Sequence, residues 1–296
     1  MSTVTHVISV PLVPADAMAA LKLRTILDEF CAKNPSFRVS TDLVSEIVLH
    51  SVSELQLEIA VDRLRRHHGL DLNVGAPQVR YLEVITKTIE WDYIHQRQTR
   101  GTGEYAKVKI RFEPGEAGSG FVFVNGLHHG EIPSAFIPVV EKGLRAAMDP
   151  GIVAGLPVSD VKCTLLDGGY HDVDSTEQTF EIAARACFRE ALPKLGPRVI
   201  EPIMYVAVLT PEDYLGEVVG DLNSRRGTVR GLEQRGEMQE VNALVPCANL
   251  FGYPSTLLSI TRGTAQHMMA FSHYEQIPPY RGPDDDNFPP AIGMRA

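Results

Sequence analysis

The stretch TVRGLEQRGEMQEVNALV, residues 228–245, decides the fold of the C-terminal part of the chain. Two β-rich runs, 228–234 and 238–245, flank the dipeptide Arg235-Gly236. Strand-forming runs separated by a short Gly-containing turn are typical of a β-hairpin. The stretch therefore predicts two antiparallel strands.

The segments around this hairpin complete a regular order of elements. A strand at 202–209 and a helix at 212–224 precede it, and a short helix beginning near Pro254 and a strand at 267–271 follow it. Pro is tolerated in the first turn of a helix, where its missing amide hydrogen has no intrahelical partner. The order β-α-β-β-α-β is that of a ferredoxin-like domain.

The first 79 residues predict the same order. The hydrophobic spacing gives the following elements: a strand at 4–13, a helix at 15–31, strands at 37–41 and 46–50, a helix starting at Ser53, and a strand at 70–74. Ser53 and Gln56 form a capping-box pattern at the start of the second helix. Two copies of one topology predict a chain of several domains.

The middle of the chain, residues 80–200, has a different pattern. Apolar and polar residues alternate over 105–112, as in a strand with one buried face. Further strands are predicted at 120–125 and 158–166, and helices at 137–149 and after a Ser175/Gln178 capping box. Two polar, glycine-bearing segments, 96–104 and 167–174, are predicted to be loops.

Composition limits the class of protein. The 296 residues carry a net charge of −9, which argues against a surface that is basic throughout. No run of about 18 apolar residues is present, so no membrane-spanning helix is expected, and no secretory signal is expected at the N-terminus. The four Cys lie far apart and are expected to be reduced thiols. The proline-rich tail, 281–296, is expected to be disordered.

Catalytic motifs are weak. The sequence contains no G-x-x-x-x-G-K-[ST] loop. Gly101-x-Gly103-x-x-Ala106 opens a predicted strand, whereas a dinucleotide fingerprint opens a helix. His171, Asp172 and Asp174 could supply a general base or metal ligands. A His with nearby acidic residues on a polar loop more often belongs to a solvent-exposed turn without such a role. We therefore expect neither an enzyme nor a metal site.

Two clusters of basic residues are better suited to binding phosphate than to catalysis. Arg97, Arg100, Lys107, Lys109 and Arg111 fall in one predicted loop and on the polar face of the following strand, and Arg225-Arg226 stands at a helix end. Guanidinium groups bind phosphate bidentately. The alternative is a solvated strand face, with cations that complement the helix dipole. The residues alone favour this alternative.

Several longer motifs carry a family resemblance. They are GDLNSRRG at 220–227, LFGY at 250–253, TRG at 261–263, AFSHYE at 270–275, IPVVEKG at 137–143, DGGYHDVDS at 167–175, FRVS at 37–40, LEI at 57–59 and VDRL at 61–64. Taken in their order along the chain, they resemble the C-terminal half of translation elongation factor G, domains III to V, over about residues 4–278. The GTPase domain and domain II have no counterpart in this chain.

The resemblance implies an α+β fold with three domains. Residues 1–79 resemble the ferredoxin-like domain III and 201–280 the ferredoxin-like domain V. Between them, 80–200 resembles domain IV, an α/β domain of the ribosomal protein S5 domain 2-like type. The tip of domain IV enters the decoding centre during translocation, so the resemblance implies that these residues contact RNA: Arg97, Gln98, Arg100, Gly101, Gly103, Glu104, Gly168, Gly169, Tyr170, His171 and Asp172.

The resemblance also implies partners and further sites. Arg225, Arg226 and Arg262 are expected to face the ribosome, and Ser51, Ser53, Glu54 and Gln56 are expected to form the segment that couples to the GTPase. The implied partners are ribosomal RNA of both subunits and the tRNA–mRNA pair, with no DNA and no membrane, for a cytoplasmic monomer. GTP and magnesium are expected only in a full-length parent.

Besides lacking the GTPase domain and domain II, the chain departs from the family pattern in the coupling segment and in the first tip loop. Ser51-Val-Ser stands where the family usually has Gly-Met-Gly, and Gln56 replaces a His. Arg100 replaces a Gly and Glu104 a Gln, changes that would attract and repel phosphate respectively. The altered coupling segment leaves an alternative open, namely a stand-alone paralogue that acts as a ribosome-protection or regulatory binding protein.

Overall fold

The computed structural model describes residues 5–41, 47–99, 102–128, 130–149, 151 and 155–278. The predicted tail lies outside these residues. Two compact units form, one from the chain up to Arg80 together with the chain from Glu201 onward, and the other from Tyr81–Ile200. Both ferredoxin-like segments predicted from the sequence thus belong to the first unit.

The N-terminal segment has the predicted order of elements. Its sheet runs β2-β3-β1-β4, with β5 also paired to β1. The elements are β1 (Ile8–Pro14), α1 (Ala17–Lys33), β2 (Phe37–Thr41), β3 (Ile47–Ser51), α2 (Glu54–His68), β4 (Leu72–Val74) and β5 (Gln78–Val79). The middle strands β3 and β1 carry the buried residues that face the helices, so this sheet has one face in the core.

Helix α2 forms where its sequence predicts. The Ser53 hydroxyl accepts a hydrogen bond from the Gln56 amide at 3.4 Å, which satisfies one free donor of the first turn. Gly69 ends the helix with a φ of 59°, a left-handed conformation that glycine adopts without a side-chain clash. The predicted buried stripe is confirmed, since its four members all lie in the core: Leu57, Ala60, Val61 and Leu64.

The middle unit contains a four-stranded sheet covered by two helices. The sheet runs β7-β8-β10-β9, and β9 is parallel to β10 while the other pairs are antiparallel. The elements are β6 (Leu82–Val84), β7 (Ile89–Thr99), β8 (Thr102–Pro114), β9 (Phe121–Asn125), α3 (Ile137–Met148), β10 (Val161–Gly169) and α4 (Glu177–Ala191). The strand predicted over 105–112 is confirmed as part of β8.

The C-terminal segment repeats the ferredoxin-like topology. Its sheet runs β12-β13-β11-β14, the same order as in the N-terminal segment. The elements are β11 (Arg198–Pro211), α5 (Leu215–Ser224), β12 (Thr228–Arg235), β13 (Met238–Pro246), α6 (Tyr253–Ile260) and β14 (Gln266–Gln276). Strand β11 begins four residues before the predicted start, because Arg198, Val199 and Ile200 pair with β6. The predicted α+β fold is thus confirmed.

Two hydrophobic cores stabilise the chain, and they share no residue. The first joins both ferredoxin-like segments, with Leu49 of β3 and Val206 of β11 both fully buried. The second lies between the four-stranded sheet and helices α3 and α4, where Phe112 packs edge-on against Phe188 at 5.6 Å between ring centroids. Each core therefore belongs to one compact unit.

All four cysteines are free thiols. Cys163, Cys187 and Cys247 are buried, and Cys31 is half-buried. Burial raises the pKa of the Cys247 thiol to about 12, because a thiolate loses its hydration in the core. These thiols are therefore core side chains and poor nucleophiles.

Candidate nucleic-acid interface

The first predicted tip loop, 96–104, is largely a hairpin. Strands β7 and β8 stay paired up to Thr99 opposite Thr102, with Arg97 opposite Glu104. The loop prediction is therefore wrong for most of this segment. Its residues are polar on both faces, so the two-residue periodicity that reveals a half-buried strand is missing. Arg100 and Gly101, which join the two strands, lie outside the described residues.

The end of this hairpin projects beyond the sheet. The last position of β8 that pairs with β10 is Lys107, opposite Gly169. Five further pairs of β7 and β8 follow, from His95 opposite Ala106 to Thr99 opposite Thr102. This overhanging end has a partner strand on one side only.

The second predicted loop meets the hairpin at Tyr105. The Tyr105 amide donates to the Asp174 carbonyl at 3.0 Å, and the Ser175 hydroxyl donates to the Tyr105 carbonyl at 2.6 Å. Both backbone polar groups of Tyr105 are thus used to join the two segments. The structure therefore brings together the two segments that the sequence singled out.

The second segment also differs from its prediction in detail. Asp167, Gly168 and Gly169 continue strand β10, so the loop begins only at Tyr170. The predicted Ser175/Gln178 capping box is wrong by one position. The capping box consists of Thr176 and Thr179, because the Ser175 hydroxyl is already bonded to β8.

Two glycines let these segments approach closely. A Cβ on Gly103 would lie 2.6 Å from the Asp174 carboxylate, and a Cβ on Gly168 would lie 2.8 Å from the Lys107 carbonyl oxygen. Real Cβ contacts are longer than this, so a side chain at Gly103 would displace the Asp174 carboxylate, and one at Gly168 would disturb Ile132 and the backbone of β8. A Cβ on Gly169 would meet nothing closer than 3.5 Å.

His171 lies on the surface of this tip. Its side chain is 58 % exposed, and its Nδ1 lies 3.3 Å from a carboxylate oxygen of Asp174. Its backbone amide donates to the Ser175 hydroxyl at 2.9 Å. Tyr170 and Asp172 are exposed beside it. An exposed imidazole beside one carboxylate presents a polar contact surface at the tip.

Ion pairs neutralise most of the predicted basic face. Lys107 lies 3.4 Å from the Asp167 carboxylate, and Lys109 and Arg111 lie 3.4 and 2.6 Å from that of Glu90. The interpretation of these three residues as phosphate contacts is therefore not favoured, since the opposing strands supply countercharges to them. The Arg97 side chain, in contrast, is exposed and has no ionic or hydrogen-bond partner among the described residues.

Glu104 is likewise engaged within the hairpin. Its carboxylate lies 2.9 Å from Nε2 of His95, whose side chain is largely buried. This contact holds Glu104 against the strand. Gln98, opposite Gly103, is exposed close to the end of the hairpin.

In comparisons with known protein families, each of the three segments of the chain matches a domain of one family. Residues 4–76 match the family model "Elongation Factor G, domain III", residues 77–195 match "Elongation factor G, domain IV", and residues 198–282 match "Elongation factor G C-terminus". Together the three matches take up nearly the whole chain in family order. The chain belongs to the elongation factor G family.

Two relatives show how far the similarity extends. Elongation factor G of Rhodopseudomonas palustris (strain BisB18) is 50 % identical over 273 residues, which is 92 % of this chain and 40 % of the relative. A crystal structure from Thermus thermophilus is 32 % identical, with a TM-score of 0.72 over 94 % of this chain and 42 % of that chain. The chain thus spans about 40 % of the length of these relatives.

Two arginines of the C-terminal segment that were predicted to face the ribosome, Arg225 and Arg226, bind to groups within this segment. The Arg226 side chain is 9 % exposed and forms two bonds, at 2.6 and 3.2 Å, with the carboxylate of Glu201. Arg225 donates to the Asp221 carboxylate and the Asn249 carbonyl, both at 2.8 Å. In this arrangement neither guanidinium group is free for phosphate, a correction to the sequence interpretation. Sequence spacing could not reveal it, since Glu201 lies 25 residues away from Arg226.

Arg262 has a different environment. It is exposed, and its side chain has no ionic or hydrogen-bond partner in the part of the chain that the structure describes. Its φ of 51° is rare for a residue with a side chain. Of the three arginines, Arg262 therefore keeps the environment that a phosphate contact requires.

The predicted coupling segment joins domain III to the C-terminal segment. The Ser51 hydroxyl donates to the Gln56 side-chain carbonyl at 3.2 Å, and Ser53 caps α2. The Glu54 carboxylate accepts a hydrogen bond from the Gly252 amide at 3.1 Å. The contact of Glu54 with Gly252 was not foreseen from the sequence, since the two residues are 198 positions apart.

The structure also bears on metal binding and on membranes. Among the described residues, no group of three His, Cys, Asp or Glu side chains is arranged to hold a metal ion. No helix within the described ranges has the length and apolar character needed to cross a membrane.

Proposed function

We propose that this chain is a ribosome-binding module of an elongation factor G-type translation factor and takes part in moving tRNA and mRNA. The observation that carries the proposal is the joined tip, where hydrogen bonds fasten the β7–β8 hairpin to the 170–176 loop through Tyr105. A fixed, projecting polar tip suits the occupation of a narrow RNA site. The family membership supports the same role.

The proposed mechanism involves binding and no bond chemistry. The exposed ends of the tip, with Arg97, Gln98, Tyr170, His171 and Asp172, offer hydrogen bonds and charge to RNA. The hydrogen bonds of Tyr105 with Asp174 and Ser175 keep the two segments together, and the absence of a side chain at Gly103 leaves room for the Asp174 carboxylate. Such a module favours the ribosomal state to which it binds more tightly, and only the difference in affinity between two states counts.

We propose the following partners and conditions. The tip contacts RNA of the small subunit and the tRNA–mRNA pair, and Arg262 contacts RNA of the large subunit, with the chain acting as a cytoplasmic monomer. Residues 1–79, 80–200 and 201–280 act as three domains. GTP and magnesium are bound by other parts of a full-length factor and not by this chain.

The first experiment measures binding to ribosomes by co-sedimentation over a range of salt concentrations. The chain should bind, and binding should weaken as salt rises, because phosphate contacts release counterions. The pair Arg97→Glu and Arg100→Glu should weaken binding by roughly tenfold or more, since each change turns an attraction to phosphate into a repulsion. No binding at low salt would refute the proposal for this chain.

A matched control separates the tip from net charge. Arg189 and Arg198 are exposed in the same unit, in α4 and β11. The double change Arg189→Glu and Arg198→Glu alters net charge equally and should leave affinity within about twofold. Equal losses in both pairs would show a non-specific charge effect and remove the tip from the proposal.

A second measurement separates translocation from simple occupancy. Movement of a fluorescent mRNA is followed on ribosomes with and without the chain. The proposal expects the chain to shift the balance toward the translocated state. Binding without any such shift would favour the alternative, a ribosome-protection or regulatory protein, which the altered Ser51–Gln56 contact also allows.

A further inference from the structure

We propose that the helix-free face of the N-terminal sheet, around Arg38, His50 and Arg80, contacts the phosphate backbone of RNA. This inference rests on the proposed ribosome binding and adds a contact surface remote in sequence from the tip. We define the surface by Ser9, Arg38, Ser40, His50, Gln78 and Arg80, and refer to it as the Arg38 face.

The strand register places these residues side by side. His50 of β3 lies opposite Arg38 of β2 on one side and opposite Ser9 of β1 on the other. Ser9 in turn lies opposite Gln78 of β5. The neighbouring positions Leu49 and Val10 pair with each other and are buried against the helices. Side chains alternate between the faces of a sheet, so Arg38, His50 and Ser9 point away from the helices.

The polar groups on this face are donors and cations. Arg38 and Arg80 are exposed, and neither has an ion pair among the described residues. The Arg80 amide donates to the Val7 carbonyl at 2.8 Å, which fixes Arg80 next to β1. The Ser40 hydroxyl and Nε2 of His50 are hydrogen-bonded at 2.7 Å.

Charge on this face is unbalanced. Burial, and after it the positive charges of Arg80 and Arg38 and the neighbouring His6, together lower the pKa of His50 to about 4. The pKa of His6 is also lowered, by burial first and then by Arg38 and Arg80. These neighbours are all basic, so the environment disfavours any additional positive charge. A bound anion would supply the missing countercharge.

The Arg38 face resembles Arg97 and Arg262 in having no ion pair among the described residues, and it differs from the paired basic groups. Lys107, Lys109, Arg111, Arg225 and Arg226 all have carboxylate partners. The two unpaired guanidinium groups of the Arg38 face lie among hydroxyl and amide donors on a sheet surface. Guanidinium forks and hydroxyl groups are typical contacts to phosphate and sugar, which position a protein without reading sequence. The chemistry of the Arg38 face therefore favours an RNA backbone, whereas Val13 and Val48 make the rest of this side of the sheet more apolar.

The test compares two arginine variants in ribosome co-sedimentation. Arg38→Gln together with Arg80→Gln should weaken binding about threefold or more and reduce the log–log salt slope by about 1 to 2, since each lost phosphate contact lowers the slope by about 1. Arg230→Gln, at an exposed strand position of β12, serves as the control and should change neither quantity. Circular dichroism confirms that each variant is folded.

The outcomes separate this inference from the proposed function. If the wild-type chain does not bind ribosomes, the proposed function fails. If it binds, and the Arg38/Arg80 variant binds equally with the same salt slope, only the Arg38 face is refuted.

Cross-linking identifies the partner. A photoreactive benzophenone amino acid in place of Gln78 should cross-link to ribosomal RNA when the chain is bound. A cross-link only to ribosomal protein would overturn the assignment to RNA, even if the arginine variant weakens binding.

Discussion

Gly168 and Gly169 are adjacent in β10, yet the structure gives them different room for a side chain. Gly168→Ala places a methyl group against the Lys107 carbonyl and the Ile132 side chain, so we expect the free energy of unfolding to fall by about 1–3 kcal/mol. Gly169→Ala meets only ordinary contacts and should change it by less than about 0.5 kcal/mol. Urea unfolding of both variants checks this, and equal effects would contradict the packing argument.

Arg226 and Glu201 form an ion pair with both side chains buried. Arg226→Met leaves the Glu201 carboxylate without its partner and should cost about 3–5 kcal/mol of unfolding free energy. Adding Glu201→Gln to this variant should recover part of the loss, because the buried charge is then removed. A double-mutant cycle measures the coupling.

The exposed pair Arg66–Asp62 provides the control for this cycle. Its side chains are 78 % and 52 % exposed, and Arg66→Met should cost less than about 1 kcal/mol. Arg226→Met with an effect as small as this control would reopen the role of Arg226 as a free, RNA-facing cation.

At the scale of elements, helix α4 offers a direct test of its start. Thr176→Ala removes the hydroxyl that accepts from the Thr179 amide and should lower the free energy of unfolding by about 1 kcal/mol. Gln178→Ala, at the position that the sequence pattern favoured, should be close to neutral. Thermal unfolding measures both, and a larger effect of Gln178→Ala would restore the sequence prediction.

The predictability of each element depends on whether it carries a periodic apolar signal. Helix α2 has a buried stripe, a Ser53 cap and a terminal Gly69, and the sequence predicts all three features. The overhanging end of β7 and β8 has no buried face, so its strands could not be distinguished from a loop. The Ser175 error has a similar origin, since Ser175 and Thr176 are both acceptable caps and only the contact with Tyr105 decides between them.

At the scale of the whole molecule, the two separate cores predict two unfolding units. Leu49 belongs to the first core and Leu144 to the second, and both are fully buried. Trp91, the single tryptophan, packs against the second core and lies under the Lys194 ammonium group. Its fluorescence therefore reports on the middle unit, whereas circular dichroism reports on both.

We expect Leu49→Ala to lower the urea midpoint seen by circular dichroism and to leave that of Trp91 fluorescence unchanged. Leu144→Ala should shift the Trp91 midpoint. Each loss should amount to about 2–5 kcal/mol in its own unit. If Leu49→Ala shifts both midpoints equally, the chain unfolds as one cooperative unit and the prediction is wrong.

Domain order and family could be predicted from motifs spread along the chain. Which basic residues of the site are paired with carboxylates could not be predicted. Whether Lys109 and Arg111 are free depends on Glu90, about 20 positions away across the β7–β8 hairpin. Whether Arg226 is free depends on Glu201 of another strand. Such pairings arise from tertiary structure, so a basic residue in a sequence indicates charge but not its availability.

The β7–β8 hairpin is attached to the rest of its sheet at one end, and its other end extends beyond the sheet. The five pairs of this end extend about 17 Å past the sheet, at about 3.4 Å per residue. Three of these pairs, about 10 Å of hairpin, lie beyond the hydrogen bonds that attach Tyr105 to the 170–176 loop. The hydrogen bonds at Tyr105 thus shorten the part of the hairpin beyond its last hydrogen-bonded attachment from five pairs to three. A single serine hydroxyl and one backbone amide thus restrict how far the tip can move away from the 170–176 loop.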